Sequence, residues 1–172
     1  GTDVLGLVAT DDVPVDAPVA PAGAPAVRGG ALLETLALEP GDRDELFALV
    51  ERLLHEKYEG DLMVDDDGDV VLKHLGQPVW VRVRVDQPAV EIFARVAHDV
   101  HSRRATAVEI GLLNRDHSWV RWTLREREVW QTLMLPAMPF VPRHLDAMLD
   151  LYLEAMAGTR DDLALRTRAR VA

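Results

Sequence analysis

Two runs of strict alternation constrain this chain more than any other feature. Residues 79–85 read VWVRVRV and residues 90–97 read VEIFARVA, joined by Asp86-Gln87-Pro88-Ala89. A period of two over seven or eight residues belongs to a strand with one buried and one open face. The short connection containing proline makes the pair a hairpin. Opposing Val85 with Val90 also pairs Val83 with Ile92, Val81 with Ala94 and Val79 with Val96. One face is then wholly apolar. The other pairs Arg84 with Glu91, Arg82 with Phe93 and Trp80 with Arg95, an ion pair and two cation–π contacts. A slip of one residue would reverse both faces.

The rest of the chain can be placed around this hairpin. Residues 1–41, rich in Pro and Ala over 11–30, read as a flexible leading segment. Within it, 31–38 (ALLETLAL) predicts a short helix. Residues 1–10 carry no Lys or Arg and are too short for a secretory signal. After Pro40-Gly41, Asp42 or Asp44 can cap a helix whose stripe is Leu46, Phe47, Val50, Leu53 and Leu54, ending near Tyr58. Residues 62–64 and 70–72 flank Asp67-Gly68, the signal of a two-residue type I′ hairpin. Leu75-Gly76-Gln77-Pro78 turns the chain again.

Residues 102–114 predict a helix capped by Ser102, ended by Asn114, with Ala105, Val108 and Leu112 on one face. A third hairpin runs through 118–125 and 128–135, and pairs Leu124 with Val129. Its inner face is Val120, Trp122, Leu124, Val129 and Leu133, and its outer face is Trp119, Arg121, Trp130 and Met134. Pro139 and Pro142 precede a last helix, and residues 158–172 read as a polar, frayed tail. The order is helix, four strands, helix, two strands, helix. That predicts an α+β domain with an antiparallel sheet of about six strands over residues 42–157.

The chain offers little for chemistry. It has no Cys, so there is no disulfide, thiolate metal site or thiol nucleophile, which fits a reducing, cytoplasmic setting. Ser102 and Ser118 are the only serines and neither lies in GxSxG; GxGxxG and the P-loop pattern are absent. Aligning Gly68 with the EF-hand glycine puts Met63 at the first ligand position and His74 where a bidentate Glu belongs, so Asp65-Asp66-Asp67-Gly68-Asp69 reads as a solvated turn. His98 and His101 lack the helical or Cys-supported spacing of a zinc site. The expectation is a non-enzyme with no cofactor and no metal. A net charge of −10 argues against nucleic acid as a partner, and no apolar run approaches a membrane span.

The outward sheet face carries the functional reading. If both hairpins join one sheet, Trp80, Arg82, Arg84, Phe93, Arg95, Trp119, Arg121 and Trp130 share it. Trp and Arg dominate interface hot spots, so this face suits a protein or peptide client. The alternatives are that these side chains cover one another or that a helix lies across them. The last helix is apolar around more than half its circumference, through Leu145, Met148, Leu149, Leu151, Tyr152 and Met156. This predicts a homodimer interface there, against the simpler alternative of burial under the first helix.

From residue 42 to 157 the chain resembles the YbjN-like proteins, whose fold is similar to that of type III secretion chaperones. The residues that carry this are DDDGDVVL at 65–72, PVWVRVRV and AVEIFARVA within 78–97, Leu112-Leu113-Asn114-Arg115, SWVRWTLREREVWQTLML at 118–135 and PRHLDAMLDLYLEAM at 142–156. The resemblance implies a bacterial, homodimeric, peptide-binding role, chaperone-like or regulatory, and carries over no catalytic residue.

Overall fold

The structure, a computed structural model, describes residues 35–58 and 62–172. The predicted flexible segment lies outside the described residues up to residue 34. Of the helix expected over 31–38, the described part departs from expectation at Leu38. Leu38 forms a β-bridge with Phe140, with N–H···O distances of 2.8 and 2.7 Å.

The elements are α1 (Arg43–Lys57), β1 (Met63–Val64), β2 (Val70–His74), β3 (Gln77–Val83), β4 (Ala89–His98), α2 (Arg103–Asp116), β5 (Arg121–Arg125), β6 (Glu128–Pro136), α3 (Pro142–Thr167) and β7 (Arg170–Val171). The fold is α+β, as expected. The sheet is antiparallel, in the order β1-β2-β3-β4-β6-β5, with β7 paired to β4 as a seventh strand. Inward residues of the strands and the buried residues of all three helices form one core, and α3 touches both α1 and α2. The helices therefore share one face of the sheet.

Local chemistry explains the boundaries. The Asp42 carboxylate accepts from the Glu45 amide at 2.9 Å, while the Glu45 carboxylate accepts from the Gly41 amide at 2.7 Å. The Asp42 bond satisfies an N–H that the helix start leaves free, worth about 1 kcal/mol, and the Glu45 bond pins the residue just ahead of the cap. The type I′ turn falls at Leu75-Gly76 rather than Asp67-Gly68. Both Leu75 (φ 51°) and Gly76 (φ 81°) are left-handed, and they join the directly paired His74 and Gln77. Around Asp67 the loop is longer. The Asp65 carbonyl accepts from the Gly68 amide, and only Gly68 (φ 80°) is left-handed.

Three further expectations need correction. The β3–β4 register differs by two residues: Trp80 opposes Phe93, Val81 opposes Ile92, Arg82 opposes Glu91 and Val83 opposes Val90. A two-residue offset keeps every face, so the valines still point inward, but Val85 leaves the ladder and is 85% exposed. Helix α2 docks through Thr106 and Ile110, which leaves Ala105, Val108 and Leu112 facing out, and it runs on to Asp116. Residues 158–172 are not frayed. Leu163, Ala164 and Thr167 continue the buried stripe of α3, and β7 then pairs with Ala97 and His98. The charged residues Arg160, Asp161, Asp162 and Arg166 on its flanks disguise that stripe in the sequence.

The third hairpin keeps its expected register, with Leu124 opposite Val129. Its inner face also holds Gln131, fully buried.

Candidate functional site

The side of the sheet away from the helices collects aromatic rings from three neighbouring strands. Pleat parity sends Trp80 of β3, Phe93 of β4 and Trp130 of β6 outward together. Trp80 and Phe93 stack at 5.5 Å between centroids with planes 13° apart. Trp130 meets each of them at 6.3 Å, tilted by 36° and 35°. Pairs of this geometry add about 0.5–1.5 kcal/mol each beyond buried area. All three rings are half-buried, and among the described residues no helix lies over them.

Arginines surround the rings, and three of them, Arg82, Arg84 and Arg95, are placed by carboxylates. Arg82 sits 4.7 Å over the Phe93 ring, and its Nε donates to both oxygens of Asp69 at 2.9 and 3.0 Å. Asp69 is 1% exposed, so this bidentate bond is what compensates its burial. The same bond to Asp69 holds the Arg82 guanidinium above its ordinary pKa. Arg84 donates to Asp86 at 2.9 and 3.0 Å and to Glu91 at 2.9 Å, and these bonds raise its pKa too. The expected Arg84–Glu91 ion pair therefore forms, as a diagonal contact rather than between directly opposed residues. Arg95 donates to Glu128 at 2.8 Å, and Glu128 also accepts from the Trp130 indole N–H at 3.2 Å. Arg125 lies 5.5 Å over Trp130.

Of the eight outward residues read from the sequence, Trp119 does not join this group. It is 63% exposed and lines a separate hollow with Asp116, His117, Leu151, Glu154 and Gly158, on the helix side. The reason is local: β5 begins only at Arg121, and the bend at Ser118-Trp119 breaks the count of alternating residues. Arg121 does share the outer face through its pairing with Thr132, and its guanidinium reaches the Asn114 carbonyl at 3.4 Å.

The expected dimer surface on the last helix is corrected as well. Leu145, Leu149, Tyr152 and Met156 are fully buried inside the monomer, and Met148 and Leu151 are half-buried beside them. Helix α3 is apolar so far around because it packs on the sheet and on both other helices.

Several participants escaped the sequence reading. Asp69 lies in a turn, where parity says nothing; Arg125 and Glu128 share the outward parity of Arg121 and Trp130, and that alternation is the signal that could have found them. Asn114 was read only as a helix terminator. Its side-chain oxygen accepts from the Trp122 amide at 2.8 Å and its nitrogen donates to the Trp122 carbonyl at 3.0 Å, so it closes the β5 edge as a strand would. Asp65, Asp67 and Asp69 bring their oxygens close together. Yet Asp65 accepts from the amides of Asp67 and Asp69 at 3.1 and 2.9 Å, and Asp69 holds Arg82, so these carboxylates build the turn.

The sequence from residue 44 to residue 172 matches the family described as T3SS (YopN, CesT) and YbjN peptide-binding chaperone 1, or TY-Chap1. The chain belongs to that family. TY-Chap1 is described by binding and not by catalysis. Solved structures share its fold. The HopA1–SchA chaperone–effector complex contains a chain 16% identical, with a TM-score of 0.55, covering 71% of this chain and 99% of that one. For the ExsC–ExsE complex the values are 16%, 0.57, 70% and 95%. For YbjN from E. coli they are 10%, 0.55, 78% and 98%. No curated protein matches by sequence. Among the described residues, no helix of this TY-Chap1 member is long and apolar enough to cross a membrane.

Proposed function

We propose that this protein is a non-enzymatic, chaperone-like module that holds an extended segment of a client protein across Trp80, Phe93 and Trp130. One observation carries this reading: three mutually contacting rings, framed by fixed arginines, lie on the sheet face that no described helix covers. Membership of a peptide-binding chaperone family supports it, as does the likeness to chains solved as chaperone–effector complexes. Half-buried Trp beside Arg is the composition of interface hot spots.

The test uses the full chain and a panel of fluorescent extended peptides of alternating apolar and polar residues, read by anisotropy. Trp80→Ala with Trp130→Ala is expected to weaken capture at least about tenfold, the scale of a hot-spot loss. Trp119→Ala should leave it unchanged. Equal binding by all three proteins, or no capture by the intact chain at micromolar concentration, sinks the proposal. Trp80→Phe, which keeps a ring in the stack, should retain most of the binding and guards against a mere folding defect.

We further propose a homodimer working in the bacterial cytoplasm, with neither nucleic acid nor membrane as partner. The absence of Cys and the charge of −10 support the setting and the exclusions. With the main apolar stripe of α3 buried, the surface favouring self-association is α2, where Val108 is 61% and Leu112 40% exposed a turn apart. A regulatory dimer without a client is the second reading. It would show as an intact dimer that captures no peptide.

A further inference from the structure

The charges on the outer face are unevenly settled, and the remainder points to the chemistry of the client. Arg82, Arg84 and Arg95 are each matched to carboxylates. Arg121 and Arg125, both on β5, enter no ion pair among the described residues, in a chain whose net charge is −10. They stand on the same side of one strand, four residues apart, which is about 13 Å in an extended chain. Midway between them is Thr123, and directly opposite Thr123 is Trp130. The outward row along β5 is thus cation, small polar, cation, with an aromatic ring beside its centre.

The two guanidiniums are already placed. Arg125 lies over the Trp130 ring at 5.5 Å, an ordered donor plane above an apolar floor. Arg121 spends one N–H on the Asn114 carbonyl and keeps its other donors. Strand addition at the β5 edge is closed at Trp122, because Asn114 already pairs with its amide and carbonyl. A segment arriving here must lie over the face, where its side chains and not its backbone are read.

We infer that this face selects an extended protein segment with acidic residues at positions i and i+4 and an apolar residue at i+2. An extended ligand repeats every two residues, as β5 does, so its two carboxylates reach Arg121 and Arg125 while the apolar side chain between them meets Trp130. This inference rests on the client reading above and adds the client's charge and spacing to it.

The test is anisotropy of the full chain with three labelled peptides: Asp-Ser-Leu-Ser-Glu flanked by neutral residues, the same peptide with Asn and Gln for its acids, and the same with Lys in both places. At low salt the acidic peptide should bind about fivefold tighter than its amide counterpart, the scale of two partly exposed ion pairs. That advantage should shrink as salt shortens the screening length. Arg121→Glu with Arg125→Glu should invert the order and favour the Lys peptide, an outcome no loss of folding can mimic. Equal binding of acidic and amide peptides, both lost in the Trp80→Ala, Trp130→Ala variant, overturns the inference and leaves the client reading standing. Failure of all three peptides, with no peptide of the wider panel captured, overturns both. Oligothymidylate binding tighter than the acidic peptide at the same salt would make the face a nucleic-acid site instead. Self-association abolished by the charge reversal would show that a second copy covers it.

Discussion

Tyr152 and Gln131 show what a polar group needs in order to sit at the centre of this core. The Tyr152 hydroxyl donates to the Gln131 carbonyl at 3.0 Å, and the Gln131 amide donates to the Tyr152 carbonyl at 2.9 Å. The two bonds tie α3 to β6 at a point where both side chains are fully buried. Burial pushes the Tyr152 phenol well above its usual value of 10, because the phenolate would lose its water. The raised folded pKa favours the neutral phenol, so this contribution is intact below pH 10. Above pH 10 the unfolded chain ionises first, and stability falls as pH climbs towards the folded value. Tyr152→Phe should cost about 1 kcal/mol at neutral pH through the lost hydrogen bond. It should also make the alkaline fall in stability shallower, by up to about 1.4 kcal/mol per pH unit. Urea denaturation at pH 7 and above pH 10 measures both. An unchanged alkaline slope would show that this phenol does not carry the effect.

At the scale of elements, the β3–β4 hairpin separates what alternation can specify from what it cannot. Alternation makes Val79, Val81, Val83, Val90, Ile92, Ala94 and Val96 inward, and all are buried. It cannot choose between registers two residues apart, since both keep the same faces. The loop makes that choice. The Arg84 amide donates to the Ala89 carbonyl at 2.9 Å, and the Arg84 side chain clasps Asp86 and Glu91, so the chain turns before Val85 can enter the ladder. A matched pair of variants tests this. Val85→Asp should change stability by no more than about 0.5 kcal/mol, as at an open surface position. Val83→Asp, which buries a charge, should cost more than about 3 kcal/mol. Thermal melts of the two proteins decide it, and a large loss from Val85→Asp would restore the longer ladder.

Seen whole, the molecule segregates its surfaces. On the helix side, α3 packs its main apolar stripe on the sheet and on its two neighbours, so the four residues Leu145, Leu149, Tyr152 and Met156 have nothing left to offer a second chain. Among the described residues, the large apolar side chains left exposed on helices are Val108 and Leu112, which share α2, and Leu165 alone near the end of α3. Val108→Glu with Leu112→Glu is therefore expected to turn the proposed dimer into a monomer by light scattering, with a melting temperature little changed at dilute concentration. A dimer that survives both substitutions would place self-association elsewhere. On the opposite side, the ring triad and its arginines are unobstructed among the described residues.

Much of this was legible from residues taken in order. The parity of the valines defines the inner face, Asp42 and Ser102 mark helix starts, and alternation alone puts Trp80, Phe93 and Trp130 on one outer face. Those features depend on neighbours two to four positions away, which the backbone geometry of strands and helices sets by itself. Other features depended on how elements meet. Whether α2 docks by Ile110 or by Val108 turns on which stripe the sheet and α3 cover. The bend that removes Trp119 from the platform, the partners that hold Asp69 and Asn114, and the extension of α3 to Thr167 turn on contacts between distant parts of the chain. Local alternation is written residue by residue. The rotation of a helix, the offset of a hairpin and the burial of a charged-looking tail are settled only when competing surfaces are brought together and one packing leaves fewer groups unpaired.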